Sequence, residues 1–245
     1  MNAILKTFTL SFLCLLALSC INSNTKKKIK EIQSESLTDS IVSTNEGVLT
    51  FEDHTQNIDK YIYYLHGRII EIQGKDAISD VYGKYEFDSI VNVLSGLGHN
   101  TIAEVRKENV DYLEYAHKIS KEIDSLVEIG VKPTYITIIG ASKGAIIASN
   151  ISDINLNPIN YVLLAGNNKY QEENNNWKFH GQVLCFYDLS DSIAGENYDY
   201  WINNENYTTK FEQIELTTNL GHGFLYKPLK DWLEPTKKWV IKQEL

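Results

Sequence analysis

The chain has 245 residues, enough for one large α/β domain rather than two small ones. Hydrophobic residues make up 43% and charged residues 22%, a balance that supports a buried core and excludes global disorder. The formal net charge of −9 argues against a nucleic-acid binder, whose surface is usually basic.

The first twenty residues, "MNAILKTFTLSFLCLLALSC", hold one early lysine and then an apolar run from Phe8 to Leu18. That run is too short to span a bilayer comfortably and reads as a signal peptide. It ends in "LALSC", which resembles the lipobox of bacterial lipoproteins, where the peptide is cut just before a cysteine that carries lipid. The expectation is a signal peptide over 1–19, lipid on Cys20 and a lipid-anchored protein of the bacterial cell envelope, periplasmic or surface-exposed. The alternative is an ordinary secretory signal with an incidental cysteine. Residues 20–45, rich in Lys, Ser, Asn and Thr, read as a tether. Of the remaining cysteines, Cys14 falls in the removed segment and Cys185 sits in the apolar run "QVLCFYD", so the mature chain forms no internal disulfide.

A folded domain is expected over 46–245. "GVLTFED" reads as a first strand, and "KYIYYLHG" as a stronger one closed by Gly67. "YEFDSIVNVLSGLG" has helical spacing and stops at Gly98. "TIAEVR" reads as a strand. "NVDYLEYAHKISKEIDSLVEIG" is an amphipathic helix with Tyr112, Ala116, Ile119, Ile123, Leu126 and Val127 on one face. "YITIIGAS" is a continuous apolar strand, as in the centre of a parallel sheet, and a helix follows from residue 143. "NYVLLAG" and "QVLCFYD" are two more buried strands. The polar segment between them, "NNKYQEENNNWKFH", is too short for a separate lid domain. "KFEQIELT" is the last strand and "PLKDWLEPTKKWVIKQ" the last helix. This alternation predicts a mostly parallel sheet with helices on both faces and no large cap.

Five residues, "GASKG", interrupt the passage from strand to helix. A serine at the carboxyl end of a central parallel strand lies where open α/β sheets bind ligands. Flanking glycines permit a turn so sharp that the hydroxyl is lifted above the sheet. Ser142 is the candidate nucleophile, and the N–H of Lys143 the first candidate oxyanion donor. The Lys143 side chain either adds positive charge near the site or points to solvent.

A nucleophilic serine needs a base. Of six histidines, His222 in "TNLGHGFLY" follows the last strand, between two glycines that let the backbone bend. His54 and His117 read as surface residues, and His180 lies in a polar connection. The orienting carboxylate is sought at the end of "QVLCFYD": Asp191 is favoured, with Asp188 as a residue that caps or braces the loop. The second oxyanion donor is placed at the turn "LHGR", from Gly67 or Arg68, with His66 as a structural neighbour. The order Ser, Asp, His differs from those of the two best-known serine protease folds.

These motifs together resemble the α/β-hydrolase superfamily over residues 46 to 245. "LHGRIIE", "GASKG" and "GHGFLY" look like a group of little-characterised bacterial members; the HGR turn departs from the HGG(G) of many lipases and esterases. The resemblance implies an α/β-hydrolase fold and a serine hydrolase, first an esterase acting on a small-molecule or polysaccharide-linked acyl group. A peptidase of the same fold and a non-catalytic ligand-binding lipoprotein are the alternatives. A histidine base implies activity that rises through roughly pH 6 to 8. Tyr198, Tyr200 and Trp201 either stack on a sugar or aromatic acid, or pack a helix onto the sheet. The sequence has no metal-ligand cluster or dinucleotide glycine motif, so no cofactor or metal is expected.

Overall fold

The computed structural model describes residues 60–242, with side chains to residue 240. The expected signal peptide, Cys20, the tether, the strand "GVLTFED" and His54 lie outside the described residues. No helix of the described chain is long and apolar enough to cross a membrane.

Six strands form one sheet: β1 (Tyr61–Leu65), β4 (Asn100–Ile102), β5 (Ile136–Ala141), β6 (Asn160–Leu164), β7 (His180–Asp188) and β8 (Tyr207–Leu216). Their order is β4-β1-β5-β6-β7-β8, and every neighbouring pair is parallel. A small antiparallel hairpin of β2 (Ile78–Ser79) and β3 (Gly83–Lys84) stands apart from it. The helices are α1 (Arg68–Gln73), α2 (Phe87–Ser95), α3 (Tyr112–Glu128), α4 (Lys143–Ile154), α5 (Lys169–Asn174), α6 (Asp199–Asn203) and α7 (Lys230–Lys242). No large cap stands among the described residues.

The two faces of the sheet follow from the period-2 alternation of a strand. One face points Ile62, Tyr64, Ile139, Val162 and Phe186 at Ile90 and Leu94 of α2 and Trp232 and Leu233 of α7. The other points Tyr63, Leu65, Ile138, Leu163 and Val183 at Ala116, Ile119 and Ile123 of α3 and Ala145, Ala148 and Ile151 of α4. Every residue of β5 and β6 is buried, which explains why these strands read as unbroken apolar runs.

Three elements differ from expectation. β4 covers only Asn100–Ile102, because the backbone N–H of Arg106 bonds the ring of His66 instead of a strand. The buried face of α3 carries Tyr115, Ala116, Ile119, Ser120 and Ile123, and Tyr112 is 46% exposed. Asp111 caps the helix: its carboxylate accepts from Leu113 N at 2.9 Å and Glu114 N at 2.8 Å, which starts the helix at Tyr112. Finally, α2 ends at Ser95, before Gly98.

Candidate active site

β5 delivers Ser142 to the carboxyl edge of the sheet and α4 starts one residue later. Ser142 has φ 52° and ψ −118°, a conformation strained for a residue with a side chain. Three backbone bonds hold it there: its N–H donates to Leu164 O at 2.9 Å, and its carbonyl accepts from Ala145 N at 2.7 Å and Ile146 N at 3.1 Å. The flanking glycines are required by contact. A Cβ on Gly140 would come 2.4 Å from Gly144 O, and one on Gly144 would come 1.8 Å from Leu65 O. The Ser142 side chain makes no cap bond to α4, so its hydroxyl is left for another partner.

That partner is His222, carried by a 3₁₀ turn over Gly221–Tyr226 after β8. His222 Nε2 lies 2.9 Å from Ser142 Oγ, and His222 Nδ1 lies 2.6 Å from Asp191 Oδ2. A carboxylate only accepts, so Nδ1 carries a hydrogen and donates to Asp191, while Nε2 is left to accept from the serine hydroxyl. The other oxygen of Asp191 accepts from Ile193 N at 2.8 Å and Ala194 N at 3.2 Å, which fixes the carboxylate plane. The carboxylate and the imidazole are both buried.

Asp188, three residues earlier, has a different set of partners. It accepts from the N–H and hydroxyl of Ser190 and from the N–H and hydroxyl of Thr218, at 2.6 to 2.9 Å. Burial pushes its carboxyl pKa up, but these four bonds outweigh burial and hold it below the usual value. Ser190 Oγ also accepts from Gly221 N at 3.0 Å, so Asp188 braces the loop that carries the histidine.

The opposite wall comes from the turn after β1. A cavity of about 260 Å³ beside Ser142 and His222 is lined by Gly67, Arg68, Ile69, Tyr85, Ile193, Leu225 and Tyr226. Gly67 is the N-cap of α1 and, like Ser142, makes no side-chain cap bond. The first N–H groups of α1 and α4, those of Arg68 and Lys143, therefore start their helices without an intrahelical acceptor. The Tyr64 and Tyr85 hydroxyls share a hydrogen bond of 2.6 Å; burial raises the Tyr85 hydroxyl to about 12, and the bond with Tyr64 opposes that rise.

The Lys143 side chain does not line the cavity and points away from open solvent. Its Nζ donates to Glu71 Oε2 at 2.7 Å and to Val110 O at 2.9 Å. Glu71 also accepts from Arg106 Nε at 2.8 Å, and Arg106 donates in turn to the carbonyl of His66. The Arg106 backbone N–H bonds His66 Nε2 at 3.0 Å, so His66 Nδ1 carries the hydrogen and donates to Gly67 O at 2.9 Å. Burial and the Arg106 charge lower His66 to about 4, and the ring is neutral. His66 is thus a structural neighbour of the site.

Tyr198 and Trp201 are buried and pack the sheet. Tyr198 Oη accepts from Gly166 N at 2.9 Å, and Trp201 Nε1 donates to Asn167 at 2.9 Å, while Tyr200 is 42% exposed. His180 opens β7 and stacks on Tyr207 at 4.9 Å. Sequence reasoning missed Tyr82, which stands 6.3 Å from the His222 ring and 5.6 Å from Tyr226, measured between ring centres. It also missed Glu71 and Arg106. The signal for Tyr82 was the turn "SDVYGK"; for Glu71 and Arg106 no local pattern exists. Among the described residues no group of three or more His, Cys, Asp or Glu side chains could hold a metal ion.

No family model matches the chain, and no curated protein sequence matches it. Solved structures do. The esterase Pf2001 of Pyrococcus furiosus superposes with a TM-score of 0.52 at 13% identity, over 75% of this chain and 83% of that one. SOBER1 of Arabidopsis thaliana gives 0.49 at 11% identity, over 76% of this chain and all of that one. MGS-M1, an alpha/beta hydrolase enzyme from a Medee basin deep-sea metagenome library, gives 0.45 at 16% identity, over 84% and 98%. With a parallel six-stranded sheet, a strained serine between β5 and α4 and helices on both faces, the described domain has the α/β-hydrolase fold.

Proposed function

We propose that the chain is a serine hydrolase that cleaves carboxylic esters through an acyl-enzyme, anchored to a membrane of the cell envelope by lipid on Cys20. The observation that carries the catalytic part is the unbroken chain of contacts from Ser142 Oγ to His222 to Asp191, 2.9 and 2.6 Å long. His222 takes the hydroxyl proton as Ser142 attacks the carbonyl; Asp191 stabilises the imidazolium that forms. The oxyanion is received by the N–H of Lys143 and, across the cavity, by that of Arg68, the first residue of α1. His222 then protonates the leaving alkoxide, and water, activated by the same ring, releases the acid. A cavity of about 260 Å³ with tyrosine, leucine and isoleucine walls suits a small acyl group.

The test is fluorophosphonate labelling of the chain beside Ser142→Ala. Labelling of the parent alone, followed by turnover of short-chain p-nitrophenyl esters, is the expected result. A folded parent that takes no label overturns the reading, and labelling with amide but no ester turnover makes the protein a peptidase. The anchor rests on "LALSC": incorporation of labelled palmitate is expected in the parent and not in Cys20→Ala.

A further inference from the structure

We infer that Glu71 is a positioning residue for the oxyanion site: its carboxylate ties α1 to the Lys143 side chain and so fixes the spacing of the two backbone donors. This rests on the acyl-transfer reading above.

The two donors belong to segments far apart in the chain; Glu71 and Lys143 are 72 residues apart. Strand pairing aligns them only as far as Leu65 and Gly140, where the β1–β5 register ends. Beyond that point each donor opens a helix. α1 has six residues, too few to be stable alone, and its N-cap contributes no side-chain bond. An oxyanion donor must stand within about 2.7–3.1 Å of the developing charge, so a small drift of α1 is costly. Glu71 supplies the missing tie. Its side chain is 1% exposed, one oxygen takes Lys143 Nζ, and the other takes Arg106, which holds the His66 carbonyl at the base of the same turn. Val110 O accepts a second Lys143 hydrogen, so the lysine is held at two points.

Charge alone does not explain the arrangement. Glu71, Arg106 and Lys143 together sum to one positive charge, and His66 beside them is neutral. A cluster meant only to attract an oxyanion would gain by losing the carboxylate. The two explanations therefore predict opposite effects for the same substitution.

The experiment compares Lys143→Met, Glu71→Gln and Glu71→Asp in the full chain, with p-nitrophenyl acetate as substrate. Rates are expressed per serine titrated with a fluorophosphonate, so that unfolded protein is not counted. A trifluoromethyl ketone serves as a mimic of the tetrahedral adduct. All three variants are expected to lose about 10- to 100-fold in kcat with KM within about twofold, and to bind the ketone weaker by the same factor. Glu71→Asp keeps the charge and withdraws the carboxylate, and it also serves if Glu71→Gln does not fold. A rate increase in Glu71→Gln, or an unchanged kcat in Glu71→Asp, overturns the inference and leaves the hydrolase reading intact. A folded parent that takes no label overturns both.

Discussion

The Cα of Gly144 faces the carbonyl oxygen of Leu65 with no room for a methyl group: a Cβ there would lie 1.8 Å from that oxygen and 2.5 Å from its carbon. Helix α4 can rest on β1 this closely only because residue 144 lacks a side chain. Gly144→Ala must push α4 away from the sheet edge, and the obstacle is backbone rather than a movable side chain. We expect a loss of about 3 kcal/mol. Urea unfolding should show a lower midpoint with an unchanged slope. A midpoint equal to that of the parent would mean the helix can shift freely.

Ser142 presents its hydroxyl to His222 from a backbone at φ 52° and ψ −118°. Glycine relieves that strain and alanine does not. Ser142→Gly is expected to be more stable than Ser142→Ala by about 1 kcal/mol, after allowance for the greater freedom of glycine in the unfolded chain. Thermal melts of the two inactive variants, side by side, test this. Equal melting temperatures would place the backbone at rest.

Asp188 ends β7 and Asp191 lies three residues further on, yet the two should fail differently. Asp191→Asn leaves His222 Nδ1 facing an amide, and kcat is expected to fall by ~10⁴-fold. Asp188→Asn should reduce kcat far less and stability more, by about 1–3 kcal/mol at neutral pH, because Ser190 and Thr218 lose a charged acceptor. The folded-state pKa of Asp188 is lowered, so its contribution is present above the unfolded value and lost as pH falls through the folded one. The parent should therefore lose stability below about pH 4, with a shallower acid slope in Asp188→Asn. Reversed phenotypes for the two variants would exchange the two roles.

His66 acts in a different pH window. Its folded pKa of about 4 lies below the 6.5 of an unperturbed histidine, so the unfolded chain takes up a proton first as pH falls. The stability this neutral ring allows is complete above pH 6.5 and is lost between 6.5 and 4, by roughly 3 kcal/mol in all. Urea midpoints from pH 7 to pH 4 should decline in the parent and stay flatter in His66→Asn. An equal decline in both would assign the acid lability to other groups.

The fold was legible because its signals are local. β5 and β6 are buried on both faces, so their apolar runs are unbroken and bracket the serine turn. The order Ser142, Asp191, His222 was legible because each follows a strand end, and strand ends of a parallel sheet converge on one edge. Glu71 and Arg106 were not. No element was read in "RIIEIQ", and Arg106 sat in what looked like a strand. Their pairing depends on the β1–β4 adjacency, which no short pattern encodes. Tyr198 and Trp201 were ambiguous because an aromatic residue that stacks on a ligand and one that packs a sheet have the same composition; only burial separates them.

The contact between Ser142 and His222 spans 80 residues of chain. Everything that strains the serine, from Gly140 to Leu164, is supplied long before the imidazole. A chain that is still being synthesised, or clipped before residue 222, has the residues of the elbow but not the imidazole that faces it. It would display a serine with ordinary alcohol reactivity. The order of elements along the polypeptide thus brings the serine and the imidazole together only once the last strand and the turn after it are present.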